Sequence, residues 1–203
     1  IMMMPPYHGV GLVPSEAGIF EHFQAASEAI KIPIMVQDAP LSGCQLSVPF
    51  LVRMAKELEQ VSYFKMEMPF AADKLANLIE VGGDAIKGPF DGEEAVTLLA
   101  DLDAGCTGTM TSGLQCEHIG SIIRTYLAGN KDAALEGWTR SLPLINHENR
   151  QCGLRACKTV MKAGGVIASD YVRHPLKPIT ERTRERLLQL SRDLDLIALK
   201  WGH

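Results

Sequence analysis

GGDAIKGPFDGEEAVTLLADLDAGCTGTM, residues 82–110, carries the reading that decides the fold. A strand at 84–87, a helix-patterned stretch and a second strand at 106–110 follow one another, with glycines between them. In the middle stretch, Asp91 with Glu94 three residues on reads as a capping box, and Ala95, Leu98, Leu99 and Leu102 form one helical stripe. A helix of that length between two strands is the crossover of a parallel pair, because an antiparallel hairpin needs only a few linking residues.

The same unit recurs upstream. SEAGIFEHFQAASEAI has Ser15 as cap and Ile19, Phe20, Phe23 and Ile30 at helical spacing. A buried strand follows at 32–37, then a helix at 47–58 capped by Ser47, a strand at 61–66 and a helix at about 70–80. The chain opens on IMMM, which reads as a strand already under way, so the expectation is of an incomplete chain. Strands thus start roughly 22 to 30 residues apart, the spacing of strand–helix units. After a helix at 117–128 the pattern turns to helices alone, at 131–141, 153–163 and about 180–199, with a Pro- and Gly-rich loop at 164–179.

Five strands alternating with helices fit an open doubly wound sheet or part of a (β/α)8 barrel. GCTGTMTSG has neither GxGxxG spacing nor a GKS/T ending, which withholds support from a nucleotide-binding doubly wound sheet. A whole barrel needs about 250 residues and eight strands, so five strands that start abruptly read as its second half. The division expected is residues 1–130 for the barrel part and 131–203 for a C-terminal helical region.

Composition sets wider bounds. With 203 residues, 46% hydrophobic and 22% charged, the chain has a globular composition and material for a sizeable core. A net charge of −4 gives no global attraction to nucleic acid or anionic lipid. No apolar run approaches a membrane span. Five cysteines without a CxxC pair suit reduced thiols, and a cytoplasmic protein is the expectation.

In a parallel barrel the reactive groups stand at the C-terminal ends of strands. Those ends hold Tyr7 and His8, then Gln37 and Asp38, then Lys65 and Glu67, then Gly88 and Asp91, and finally Thr109, Thr111 and Ser112. Lys65 lies in VSYFKMEMP, residues 61–69, where alternation puts it on one side with Glu67 while Phe64 and Met66 face the helices. A lysine desolvated among Val61, Tyr63, Phe64 and Met66 can present a free amine to a ketone. Equally, its stem can pack in the wall while the ammonium reaches water or pairs with Glu67. Pattern alone leaves both readings open.

HENRQ at 147–151 lacks the second histidine of a zinc helix, and no histidine or cysteine spacing suggests a metal. It reads instead as a polar segment bound to nearby backbone or side chains. ERTRERLLQLSRDL reads as a solvated amphipathic helix, and no GxSxG elbow supports serine catalysis.

The order PPYHG, IPIMVQDAPLSG, YFKMEMP, GGDAIKGPFDG and GCTGTMTSG resembles the dihydrodipicolinate synthase/N-acetylneuraminate lyase family, from the fourth barrel strand to the end. The resemblance implies a TIM barrel, of which this chain holds strands four to eight plus a C-terminal helical extension. It also implies that Lys65 forms a Schiff base with a 2-oxo acid. IMVQDAP, the YFK run, DGEEAVTLLADL and LPLINHENRQ are most similar to members that dehydrate 2-keto-3-deoxy-L-arabonate to 2-oxoglutarate semialdehyde.

By that resemblance the catalytic residues are Lys65, Tyr7 and Gln37, with Asp38, Glu67, Gly88, Thr111 and Ser112 holding the 2-keto-3-deoxy sugar acid. Many members carry Tyr-Asn where this chain has Gln37 and Asp38, and an amide orients groups rather than relaying protons. Proton transfer is then open to Tyr7, Glu67 or a water held by Gln37. Tyr7 matches a family tyrosine that reaches across a tight dimer interface, which implies a homodimer or homotetramer. No cofactor, no metal, no nucleic acid and no membrane enter this reading. An aldolase or lyase working through the same imine, and a barrel or fragment that binds sugar acids without catalysis, are the alternatives.

Overall fold

The computed structural model describes residues 1–6 and 12–202. They fall into two compact units, residues 1–93 with 97–110, and residues 94–96 with 111–203.

The first unit is built on five parallel strands: β1 (Met2–Met3), β2 (Ile34–Asp38), β3 (Val61–Met66), β4 (Gly88–Asp91) and β5 (Gly108–Thr109). Each pairs with the next in sequence, in the order β1-β2-β3-β4-β5. A doubly wound sheet reverses its strand order at a switch point. This sheet never reverses, which is how a barrel winds. Helices α1 (Glu16–Ala29), α2 (Val48–Glu57), α3 (Ala71–Gly82) and α4 (Leu98–Asp103) make the crossovers.

Local chemistry accounts for most of these elements. The Ser15 hydroxyl accepts from Gly18 N and the Ser47 hydroxyl from Phe50 N, each satisfying a helix-end donor. Ile19 and Phe23 of α1, Phe50, Leu51 and Met54 of α2, and Leu75 and Leu78 of α3 are buried. So are Phe64 and Met66, the face of β3 that looks outward to the helix layer.

Several expectations are corrected. The fourth strand occupies 88–91 rather than 84–87. Gly83, at φ 52°, turns the chain into a 3-10 turn at Gly83–Ala85, and Pro89 is admitted because pairing with β5 starts only at Phe90. The capping box at Asp91 does not form. Asp91 ends β4 and its Oδ1 accepts from Glu93 N at 2.7 Å, while Glu94 and Ala95 take left-handed φ values of 58° and 66°, so α4 begins at Leu98. The last charged helix stops at Asp193 rather than 199, and Asp195 follows at φ 52°.

The second unit holds α5 (Cys116–Leu127), α6 (Lys131–His147), α7 (Arg155–Ala163) and α8 (Glu181–Asp193), with a π-turn at Glu148–Cys152. α6 continues to His147 with Pro143 inside it, six residues past the expected end. Leu114, Leu144, Cys152, Ala156, Val160, Leu187 and Leu190 form its core. The α5–α6 pair approaches closely at Gly137, where a Cβ would come 3.1 Å from Ile122 Cγ1. Among the described residues no helix is long and apolar enough to cross a membrane. All five cysteines are free thiols.

Candidate active site around Lys65

Lys65 is the last but one residue of β3, in register with Gln37 of β2 and Phe90 of β4. Strand alternation sends it away from the helix layer, on the side of Tyr63. Two glycines shape that side. A Cβ on Gly88 would lie 2.1 Å from Tyr63 Cδ1, and one on Gly108 would lie 3.1 Å from Phe90 Cε1. The rings of Tyr63 and Phe90 fill those spaces and give the lysine an apolar flank. Only 8% of Lys65 is exposed.

Glu67 stands just beyond the strand, its backbone N donating to Asp38 O at 2.9 Å. Its Oε1 forms an ion pair with Lys65 Nζ and accepts from Gln37 Nε2 at 2.8 Å. A buried ion pair holds only when further hydrogen bonds satisfy its atoms, and the Gln37 amide supplies one. Two side chains, the Lys65 amine and the Gln37 amide, thus converge on one carboxylate oxygen of Glu67, a group suited to moving protons.

Gly92 lets them converge. Its N donates to Met66 O at 2.8 Å, and a Cβ there would lie 2.4 Å from Glu67 Cγ and 2.9 Å from Lys65 Cγ. Gly92→Ala is therefore expected to displace both stems and lower kcat by about 10²-fold, the scale of a misplaced catalytic group, as read by steady-state kinetics. Its signal in the sequence was the DG pair after β4, which reads first as a turn.

The other candidates are placed as follows. Asp38 projects from the opposite side of β2 to Gln37 and is fully buried. Burial pushes its carboxyl up, against the opposing pull of Lys74, whose Nζ lies 2.5 Å from Asp38 Oδ2. Nothing in the local pattern singled out Lys74, a charge in the first turns of an amphipathic helix. Asp91 accepts from Thr109 Oγ1 at 2.6 Å. Tyr7 and His8 lie outside the described residues.

Thr111 and Ser112 belong to the second unit. Ser112 N donates to Glu94 Oε2 at 2.6 Å, and its hydroxyl accepts from Leu114 N. Beside it, burial pushes the Glu148 carboxyl up to about 7; the Ser112 hydroxyl opposes the shift and repulsion from Glu94 adds to it. A carboxyl raised in the folded state stabilises the fold while protonated, so its contribution is complete below about 4.5 and is lost as pH rises through about 7. The loss amounts to about 3 kcal/mol at most. Glu148→Gln is expected to flatten denaturant stability over that window and to raise it at pH 8. HENRQ binds backbone: His147 Nε2 lies 3.2 Å from Thr183 O, and Asn149 Nδ2 donates to Ile145 O.

Similarity to known proteins now bears on this geometry. The chain is 55% identical over 203 residues to an L-2-keto-3-deoxyarabonate dehydratase of Azospirillum brasilense, covering all of this chain and 66% of that protein. It is 29% identical over 190 residues to 4-hydroxy-tetrahydrodipicolinate synthase 1 of Halalkalibacterium halodurans, covering 92% of this chain and 62% of that one. The chain therefore spans just under two thirds of the length of these relatives. The dihydrodipicolinate synthase structure from Aquifex aeolicus superposes with a TM-score of 0.85 at 20% identity, covering 96% of this chain and 65% of that one, and shares the fold. The family model of the dihydrodipicolinate synthetases matches residues 1–193. With its unreversed parallel strands and that match over nearly its whole length, the chain belongs to the dihydrodipicolinate synthetase family.

Proposed function

We propose that the protein is a Schiff-base hydro-lyase that dehydrates a 2-keto-3-deoxy sugar acid, 2-keto-3-deoxy-L-arabonate being the substrate its similarity favours. The observation that carries the reading is the contact of Lys65 with a carboxylate that Gln37 holds in place. In this mechanism Glu67 takes a proton from the Lys65 ammonium, and the free amine attacks the C2 ketone. Loss of water gives an iminium, which acidifies C3. Glu67 removes a C3 proton, the electrons enter the C2–C3 bond, and the C4 hydroxyl leaves as water on receiving a proton. Transfer of a proton from C5 to C3 leaves an enol across C4 and C5, which tautomerises to the aldehyde. Hydrolysis of the imine frees Lys65 and 2-oxoglutarate semialdehyde, for a net loss of one water.

Gln37 orients Glu67 and substrate oxygens in this scheme, because an amide has no proton to relay. Ser112 and Thr111 are proposed to hold substrate oxygens, Gly88 to shape the substrate site by admitting the Tyr63 ring, and Tyr7 to assist proton transfer. The reaction draws on no external cofactor. A cytoplasmic homodimer or homotetramer completes the reading. Product analysis tests it: incubation with 2-keto-3-deoxy-L-arabonate is expected to yield the semialdehyde. Pyruvate with glycolaldehyde would show C3–C4 cleavage and sink the dehydratase assignment.

A further inference from the structure

We propose that Asp38 and Lys74 act as a positioning pair for the imine site, fixing the tip of β2 to the start of α3 so that Gln37 and Glu67 face Lys65. The proposal rests on the imine reading above and assigns these two residues a part in it.

Asp38 is fully buried and joins two parts of the site at once. It follows Gln37 directly, and its main-chain oxygen accepts from Glu67 N at 2.9 Å. Its carboxylate, on the other side of the strand, meets Lys74. The Lys74 ammonium also donates to Leu46 O at 2.5 Å. That oxygen belongs to the loop after β2, which is itself folded by Ser42 Oγ donating to Ala39 O and by Gly43 at φ 68°. Three segments therefore meet at one ammonium: the β2 tip, the loop leading to α2, and α3.

The start of α3 has need of such an anchor. Only Met68, Pro69 and Phe70 separate it from Glu67. Phe70 is its N-cap, sits at φ 65°, and makes no side-chain capping bond. A non-glycine residue in the left-handed region persists only where its surroundings hold it there. Lys74, one turn further on, is the bond from α3 back to the β2 tip. Packing of Ala71, Leu75 and Leu78 holds α3 in the core, and the Lys74 bond sets the start of that helix, and with it the segment that carries Glu67, against the β2 tip. Small errors in the placement of a proton-transfer group cost rate far more than binding.

The test uses pyruvate as probe in the full-length protein. Lys65 and pyruvate form an imine with release of water. Loss of a methyl proton to the site gives the enamine, and a deuteron from D2O returns to the carbon. Borohydride trapping reads the first step, and NMR of deuterium entering the methyl group reads the second. Lys74→Met and Asp38→Asn are expected to trap the adduct on Lys65 to the wild-type extent while exchange slows by about tenfold or more. Lys74→Arg, which keeps the charge and donors, should recover most of the exchange. Should Lys74→Met fail to fold, the isosteric Asp38→Asn carries the test. Wild-type exchange in both variants, even with a lowered melting temperature, would reduce the pair to a structural bond and overturn the proposal. A wild-type protein that traps no adduct would instead overturn the imine reading, and this proposal with it.

Discussion

Lys65→Met should abolish turnover of 2-keto-3-deoxy-L-arabonate, lowering kcat by at least about 10³-fold and removing every borohydride-stable adduct. The expectation follows from the part the amine plays. A thioether or an alkyl chain cannot form the imine, and no other lysine ion-pairs with Glu67 among the described residues. Methionine fills much of the same space between Tyr63 and Phe90, so the strand should hold, but the Glu67 carboxylate loses its cation and the melting temperature should fall. Glu67 keeps its bond from Gln37. A folded protein with wild-type secondary structure and no turnover is the expected combination, measured by circular dichroism and a semialdehyde assay. Turnover within about tenfold of wild type would remove Lys65 from the chemistry.

Glu67→Gln is the second large effect. The substitution keeps shape and leaves hydrogen-bonding capacity for Gln37, but takes away the group that accepts and returns protons. General acid–base catalysis contributes about 10²–10⁴-fold, and kcat should fall by that factor with a much smaller change in KM. The imine step should survive in the variant, slowed, because Lys65 remains. Borohydride should therefore still trap an adduct on it, while methyl-proton exchange in pyruvate nearly ceases. This separation of trapping from exchange distinguishes a proton-transfer role from one in binding alone. If kcat is unchanged and KM rises, Glu67 serves substrate binding and the protons pass elsewhere.

How far the sequence could be read depended on whether the determining contacts were local. β3 was legible to the residue, since VSYFKM is a β-rich run bounded by turn signals. The caps at Ser15 and Ser47 were legible for the same reason, a hydroxyl three residues from the donor it satisfies. β4 was displaced by four residues because DAIK was read as the strand, although two of its four residues are charged and the two adjacent glycines before it signal a turn. The failed capping box at Asp91 shows the limit of a spacing rule: Glu94 has the right separation, but its carboxylate accepts from Ser112 N, 18 residues away.

The site divides along the same line. Lys65 and Glu67 lie two apart on one strand, so their shared side followed from alternation. Alternation likewise separates Asp38 from Gln37, a consequence that family likeness, which grouped the two, concealed. The hydrogen bond from Gln37 to Glu67 and the ion pair from Lys74 to Asp38 close loops of 30 and 36 residues. No periodicity encodes such contacts; they exist because parallel strands in sequential order bring their C-terminal ends together.

The most direct test of the central claim is borohydride reduction in the presence of pyruvate, followed by mass spectrometry of the peptide that carries residues 61–69. The account predicts a reduced pyruvyl adduct on Lys65 in the wild-type protein and none in Lys65→Met. A folded wild-type protein with no adduct on that peptide, or an adduct on a different lysine, would contradict it.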